Sequence, residues 1–588
     1  MELSVLKTAI PFEGMDARVA SHTTSMIEAN WMIREKPPAR KVEAIAKEFG
    51  IRPLVAELLI HRGFEDSEAI TRFLHPRLQD LSDPFLLPNM EAAVERILAA
   101  VDRQETVVLY GDYDVDGVTS LTLLHAFLLA YGLKTSPFLP HRMDDGYGLN
   151  DHGLERCLSE YQPTLIIAVD CGTSSVSQVR MLKERGIDVV IVDHHESNTG
   201  ELPPAVAVVN PKLGEDCHYF CTAGLIFKLG HALLKRRRNG ALDLKDWLDV
   251  VAMGTVADLV PLVDENRILV RKGLQQLAQS RHPGVSALKD VAGVNGTPEA
   301  YDIGFKLGPR LNAAGRLDTA QVSLDLLMTR DQGVARRLAE DLDIQNRNRQ
   351  SLEQRIRDEA VEMVRKFDGN VGRGIVLGSD DWHAGVVGIV ASRIVKEFHR
   401  PSFVIAFDEA GVGKGSGRSI PGVSLVQALN ACRDLLVAGG GHDMAAGLTL
   451  HRDKLDAFRE RFSAYLEETT PPELFTPRLD IDLVATLDQL TLDLLESYEL
   501  VHPMGMGNPA PLFMSRAVRL SEEPRVLKEK HLKLPLQQNG AKLDVMWFNA
   551  ANVDLPPGPW DIAYRISRNV YKGRSSVSVV LEALRTSR

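Results

Sequence analysis

Three short apolar runs, each ending in acidic or histidine residues, constrain this chain more than any other feature. Thr106–Tyr110 runs into Gly111-Asp112-Tyr113-Asp114-Val115-Asp116-Gly117, Leu165–Val169 into Asp170-Cys171-Gly172, and Val189–Val192 into Asp193-His194-His195. Runs of four or five residues rich in Val and Ile, bounded by glycine or charge, read as buried parallel strands. In an open α/β sheet ligands sit beyond the carboxyl ends of the strands, so these polar ends are expected to converge in one crevice. Carboxylates gathered there repel one another and need a counter-charge to stay ionised. Divalent cations supply it, and a pair of them can clamp a phosphate. The pattern predicts an α/β protein with a metal-dependent phosphoesterase site.

At 588 residues the chain exceeds what one hydrophobic core holds, so three or four domains are expected. No apolar stretch reaches membrane-spanning length. The formal charge of −11 excludes a uniformly basic coat for nucleic acid. It leaves room for a local basic groove, because part of the acidic count belongs to a cluster that a metal would neutralise. Five cysteines, Cys157, Cys171, Cys217, Cys221 and Cys432, form no disulfide framework and suit a reducing cytosol. Cys217-His218-Tyr219-Phe220-Cys221 has half the ligands of a structural zinc site, and no second cysteine pair completes it. Residues 1–30 lack the basic-then-apolar grammar of a signal peptide and read as a disordered tail or a misassigned start.

Residues 31–100 are expected to form a helical segment leading into the first α/β domain. Val42, Ile45, Ala46 and Phe49, then Val55, Leu58 and Leu59, recur at helical spacing. A proline-rich connector from Pro76 to Pro88 precedes a further helix near Met90–Ala100. Strands alternate with helices to about residue 260, the signature of a parallel sheet, in a domain spanning 101–330. Asp331–Phe367 is the longest helical signal, and within 331–370 it is expected to bridge two domains. A second α/β domain, 371–470, follows. Ile375–Leu377 and Phe403–Phe407 are strand-like with a helix between them near Val386–Phe398, and glycine-rich turns are expected at Gly411–Gly417 and Gly439–Gly441. Past Thr469-Thr470-Pro471-Pro472, short alternating runs such as Ala541–Phe548 and Val577–Leu581 predict a small oligonucleotide-binding-like β-barrel over 471–588.

Within the first cluster, alternation lets two of Asp112, Asp114 and Asp116 face one side of an extended strand end, with Gly117 freeing the turn into a helix Val118–Ala130. Alone, such a motif serves equally as solvated acids at a helix N-terminus. Two further acidic strand ends favour a site. Asp193-His194-His195 adds imidazoles, which suit Mn²⁺ or Zn²⁺ better than Mg²⁺. Adjacent residues point in different directions, so one histidine is expected to ligate metal and the other to meet phosphate or the leaving oxygen. Which does which stays open. Asp258 is a charge in the otherwise apolar helical stretch Met253–Leu259, expensive there unless paired or metal-bound; it also reads as a cap for the next segment. Lys235-Arg236-Arg237-Arg238 offers a phosphate patch, or cations at a helix C-terminus.

The motifs Asp112–Gly117, Val169-Asp170-Cys171-Gly172, Asp193-His194-His195 and Gly254-Thr255-Val256-Ala257-Asp258 resemble the four signatures of the DHH phosphoesterase superfamily. Gly308-Pro309-Arg310-Leu311-Asn312-Ala313-Ala314-Gly315-Arg316, Gly415–Ser419, Gly440-Gly441-His442 and His141–Leu149 narrow the resemblance to its RecJ exonuclease branch, over residues 30–588. The resemblance implies DHH and DHHA1 domains joined by a long helix, then an oligonucleotide-binding barrel. It implies a site of two Mn²⁺ or Mg²⁺ ions and 5′→3′ hydrolysis of single-stranded DNA to 5′-mononucleotides, in DNA repair and recombination. By motif position Asp114, Asp116, Asp170, His194 and Asp258 are the implied metal ligands, Asp170 a bridge, with Asp112 and His195 completing the catalytic cluster. Cys171 stands where relatives often carry Asn and is expected only to shape the loop.

An enzyme that measures from an end needs a terminal-phosphate pocket, for which Arg310, Asn312, Ser416, Gly417, Arg418 and His442 are candidates. Arginine binds phosphate bidentately, and glycine-rich backbone can form an anion nest. Arg310 pairing with an acid, and Gly415–Gly417 merely turning the chain, are the structural alternatives. Tyr147, Trp382 and His383 are candidate strand contacts or ordinary packing. The implied partner is single-stranded DNA, with a helicase and a single-strand-binding protein left open as feeders. The implied molecule is a cytoplasmic monomer with no membrane contact.

Rival readings are a superfamily member acting on pyrophosphate, short oligonucleotides or cyclic dinucleotides, and a haloacid-dehalogenase-type phosphatase suggested by Asp114-Val115-Asp116-Gly117-Val118-Thr119. The latter has no use for Asp193-His194-His195. A noncatalytic DNA-binding scaffold is the rival from another class, and the presence of every implied ligand argues against it.

Overall fold

The computed structural model describes residues 29–140, 148–197, 200–214, 219–317, 319–366 and 372–587. The expected tail up to residue 28, Tyr147 and Cys217 lie outside them.

The strands Val107–Gly111, Leu165–Val169 and Asp188–Val192 are neighbours in one five-stranded parallel sheet, flanked by Thr135–Phe138 on one side and Ala207–Val209 on the other. Side chains alternate between the faces. Val107 and Leu109 join a core with Val118, Leu121 and Phe227, while Val108 and Tyr110 join another with Leu154 and Val179. Both faces are covered, which is why these runs are apolar throughout. The order in which the strands are laid down reverses between Val107–Gly111 and Leu165–Val169, so the crevice at their carboxyl ends is a topological switch point.

Strand–helix alternation ends earlier than expected. After Val209, the last strand of this sheet, the chain is helical as far as Arg365 apart from short connections. Leu248–Ala257, apolar enough to pass for a strand, is a helix packed against Val115–Ala130 and Asp264–Ala278. A helix buried on all sides carries no polar stripe to betray its period. The expected long helix is present as Gln332–Arg365, 34 residues, capped by the Asp331 carboxylate, which accepts from the Val334 N–H at 2.7 Å.

The second sheet runs in the spatial order Ala438–Gly441, Ala445–His451, Val412–Arg418, Ser402–Phe407, Ile375–Ser379. Of the segments expected as glycine turns, Gly411 does sit in a turn, but 412–417 and 439–441 are strands in this sheet. The reason is steric. A Cβ on Gly413, Gly415 or Gly417 would strike Phe407, Ile405 and Leu448, or Phe403. Glycine at alternate positions lets large neighbours lie over one face, and it turns Lys414, Ser416 and Arg418 together to the other.

In the C-terminal part, Phe513–Leu520, Trp560–Tyr571, Arg574–Thr586, Ala541–Trp547 and His531–Gln538 pair in that order. A further pairing, Arg519 with Gln537 and Leu520 with Leu536, curls the sheet back on itself. The N-terminal helices Ala39–Phe49, Pro53–His61 and Ser67–Leu74 pack here and not on the first sheet. Val55, Leu58 and Leu59 share a core with Leu495, Phe513 and Tyr564. The parallel pairing of Asn30–Ile33 with Arg478–Ile481 joins the same two regions.

Candidate active site

Asp112–Asp116 lies at the switch point. The helix expected from Val118 starts at Val115, because the Asp114 carboxylate caps it, accepting from the Asp116 N–H at 2.8 Å and the Gly117 N–H at 3.1 Å. Asp116 is thus in the first helical turn and not on an extended strand end. Both its oxygens are held from across the crevice by the first turn of Thr222–Arg236: the Thr222 N–H donates at 2.7 Å and the Ala223 N–H at 2.9 Å. The positive end of one helix therefore faces a carboxylate in the first turn of another. Gly117 supplies room, since a Cβ there would strike the Asp112 carbonyl.

Asp170 ends the central strand in the left-handed region, φ 63°. Such a backbone costs on the order of 1 kcal/mol for a residue with a Cβ and gathers at functional sites. Its carboxylate accepts from Thr222 Oγ1 at 2.9 Å. Asp258 ends the helix Leu248–Ala257 as its C-terminal cap, followed by Leu259, also left-handed at φ 61°. His194 Nε2 lies 3.5 Å from Asp170 Oδ1 and 3.5 Å from Asp258 Oδ2. His194 Nε2 and Asp258 Oδ2 are buried atoms without a hydrogen-bond partner among the described residues.

The second histidine is built differently. His195 Nδ1 meets Asp193 Oδ1 at 2.7 Å. Asp193 also accepts from the N–H groups of Thr173, His194 and His195, and Asn210 Nδ2 donates to the His195 carbonyl and to Thr173 Oγ1. His194 faces the carboxylates; His195 is steered by Asp193.

Electrostatics follow this division. Burial, then repulsion from Asp114, lifts Asp116 to about 6. Burial, then neighbouring carboxylates led by Asp116, drives Asp170 and Asp258 well above the usual range. Burial and the nearby His195 lower His194 to about 4, so it is a neutral imidazole, the form that ligates. Burial opposes the charge on His195, but the bond to Asp193 outweighs it and the pKa rises. Asp193, buried yet held by His195 and Thr173, is driven down.

These donors fit metal ions. Asp116, His194 and Asp258 can each place one ligand atom within 4.8 Å of the others', as can Asp112, Asp114 and Asp170. The two groups share no residue. Asp170 also groups with His194 and His195, which places it between them. Mixed carboxylate and imidazole donors suit Mn²⁺ and admit Mg²⁺.

The end-pocket candidates divide. Ser416 and Arg418 lie on one face of Val412–Arg418, beside Gly388 in the first turn of Val387–Phe398. Arg418 donates to Ser416 Oγ at 3.1 Å and to the Gly417 carbonyl at 2.8 Å. Arg310, in the helix Gly308–Leu317 that follows a π-helical turn at Ile303–Leu307, pairs with Asp343 at 2.9 Å and donates to the Lys306 carbonyl at 2.7 Å. Asn312 lies half-buried on the same helix. His442 forms an exposed hairpin turn with Ala445, and His383 is exposed, its Nδ1 accepting from the Gly385 N–H. Trp382 is a core residue and no strand contact: it is 5% exposed, packs with Val386 and Val390, and donates to Glu359 at 2.8 Å. Three cations of the 235–238 run are paired with acids, Lys235 with Asp83, Arg236 with Glu91 and Arg237 with Asp102.

Thr222 and Asn210 were missing from the sequence-derived site, and Asp193 stood in it without a role. Asp193 was legible as the third acidic strand end. Thr222 and Asn210 carry no signal, because their contacts join segments far apart in the chain.

Comparison with known proteins finds three matched stretches in this chain. It matches the DHH family, N-terminal domain, over residues 106–255, the DHHA1 domain over 371–468 and the RecJ OB domain over 481–583. It is 37% identical to the single-stranded-DNA-specific exonuclease RecJ of Bacillus subtilis over 562 residues, 94% of this chain and 70% of that one. With the protein of the same name from Escherichia coli it shares 35% over 563 residues, 90% of this chain and 95% of that one. The crystal structure of RecJ in complex with Mn²⁺ from Thermus thermophilus superposes with a TM-score of 0.82 at 30% identity, over 95% of this chain and 80% of that one. Among the described residues no helix is long and apolar enough to cross a membrane.

Proposed function

Because this chain belongs to the RecJ family of single-stranded-DNA-specific exonucleases, we propose that it removes 5′-mononucleotides from single-stranded DNA in the 5′→3′ direction, using two Mn²⁺ or Mg²⁺ ions. The observation that carries the reading is the convergence of three strand ends. Asp170 and Asp258 both meet His194 Nε2 at 3.5 Å, and the acids Asp112, Asp114 and Asp116 stand beside them.

Asp112, Asp114, Asp116, Asp170, His194 and Asp258 would hold the metals, Asp170 standing between the two groups. Bound there, the ions supply a deprotonated water and neutralise charge on the phosphate. The protein does the rest. Thr222 and the helix behind it fix Asp116 and Asp170, so the ligands are in place before substrate arrives. Asp193 orients His195 and favours its charged form, so Nε2 can pass a proton to the departing 3′-oxygen. Water adds to phosphorus, the P–O3′ bond breaks, and the released nucleotide keeps its own 5′-phosphate. The shortened strand carries a new 5′-phosphate.

That phosphate is the handle for the next cycle. Ser416, Gly417 and Arg418, with the first turn of Val387–Phe398, form one wall of the pocket proposed to hold it; Arg310 and Asn312 form the other. His383, His442 and Tyr147 are proposed strand contacts, and the C-terminal β-domain grips the strand farther on. The domain limits are 101–330, 331–370, 371–470 and 471–588. The enzyme acts in the cytoplasm as a monomer in DNA repair and recombination, supplied with strands by a helicase and a single-strand-binding protein.

Polarity is the test. A 3′-labelled single strand is offered with its 5′ end open or blocked by biotin and streptavidin. Mononucleotide release that stops with the 5′ block but persists with a 3′ block is expected. Digestion insensitive to the 5′ block would refute the assigned direction.

A further inference from the structure

The helix Gln332–Arg365 buries a face that changes character along its length. Ala335, Ala339 and Leu342 belong to the first domain's core, and Ile356, Ala360 and Val364 to that of the second. Between them the buried positions are polar: Asp343, Asn346, Arg349 and Glu353. Buried charges are costly, and apolar residues there would stabilise as well or better, so the stripe calls for a role other than stability.

Its two carboxylates hold partners in different domains. Asp343, 5% exposed, accepts from Arg310 Nε at 3.0 Å and forms an ion pair with Nη2 at 2.9 Å, and its other oxygen pairs with Arg347. With the Lys306 carbonyl on Nη1, the guanidinium is fixed from two sides. About 15 Å farther along the helix, at 1.5 Å per residue, Glu353 pairs with Arg349 at 3.3 Å and with Arg393. Arg393 is on Val387–Phe398, whose first turn places Gly388 beside Ser416 and Arg418. One carboxylate thus holds the Arg310 wall of the end pocket, and the other holds the helix behind the Arg418 wall.

We propose that Asp343 and Glu353 are positioning residues for recognition of the strand's 5′ end: the bridging helix sets the two walls at the separation a terminal phosphate needs. This rests on the reading that Arg310 and Arg418 bind that phosphate. An arginine locked at Nε and Nη2 has fewer rotamers to lose on binding, which is where such a residue contributes affinity.

The test uses the full chain with Mn²⁺ and two oligonucleotides that differ only in a 5′-phosphate or a 5′-hydroxyl, comparing KM and kcat for wild type, Asp343→Asn, Glu353→Gln, Arg310→Ala and the exposed-acid control Asp341→Asn. We expect Asp343→Asn and Glu353→Gln each to reduce the preference for the 5′-phosphate about tenfold, mainly through KM, the scale of one misaligned charge-assisted contact. The control keeps the wild-type preference. Equal losses on both oligonucleotides would show a purely structural role and overturn the proposal, even where the variants melt lower. If Arg310→Ala loses the preference while neither carboxylate variant does, the positioning role fails and the pocket stands. If Arg310→Ala keeps the preference, the pocket reading fails and the proposal with it.

Discussion

Asp116→Asn is expected to stabilise the metal-free enzyme while abolishing its response to metal. Asp116 is 1% exposed, and its pKa is lifted from 3.8 to about 6. At 1.36 kcal/mol per unit, the ionised carboxylate costs the fold about 3 kcal/mol above pH 6. The sign follows from linkage. A folded-state pKa above the unfolded value gives stability that is present below about pH 4 and lost as pH rises through about 6. Asparagine removes this cost but gives up one of the two backbone hydrogen bonds from Thr222 and Ala223, worth about 1 kcal/mol. The net gain at pH 8 is about 2 kcal/mol, or about 4–8 °C in the melting of a domain this size. The assay is scanning calorimetry in EDTA at pH 8 and pH 4.5, following the transition that Mn²⁺ raises in the wild type. The variant should melt higher at pH 8, lose most of that advantage at pH 4.5, and gain nothing from Mn²⁺. A variant that melts below wild type in EDTA at pH 8, or a gap independent of pH, would refute the reasoning.

Further consequences can be checked separately. His194→Ala should weaken Mn²⁺ binding by calorimetry, whereas His195→Ala should leave it within about threefold and lower kcat by about 10²–10³, the usual contribution of a positioned proton donor. Because Asp116, Asp170 and Asp258 all hold protons above the usual carboxylate range, Mn²⁺ binding should release more protons at pH 6 than at pH 8.5, read from heats in buffers of different ionisation enthalpy. Lys228 and Glu265 form a buried pair at 2.7 Å; Lys228→Met alone should cost about 3–5 kcal/mol by urea unfolding, and adding Glu265→Leu should recover most of it.

The site's positions were legible because strand ends declare themselves locally. An apolar run that stops at Asp170 or Asp193 announces both the strand and the polar group beyond it. What sequence could not supply was the partner across space. Nothing near Arg310 points to Asp343, 33 residues on, and nothing near Asp116 points to the helix N-terminus at Thr222. Gly413, Gly415 and Gly417 were misread as turns because local propensity treats glycine as a breaker. Here it makes room for Phe403, Ile405 and Phe407 on a strand that aims Ser416 and Arg418. The docking of residues 39–74 on the C-terminal β-domain was illegible for a complementary reason: core sharing between distant segments has no local mark.

The central claim is that the acids and His194 at the switch point hold metal and thereby hydrolyse single-stranded DNA. The most direct test follows mononucleotide release from a 3′-labelled single strand while Mn²⁺ is titrated into EDTA-stripped wild type and Asp170→Ala. Release is expected to appear with Mn²⁺ in the wild type only, while the variant still binds the strand. Release without metal, or undiminished release by Asp170→Ala, would contradict the claim.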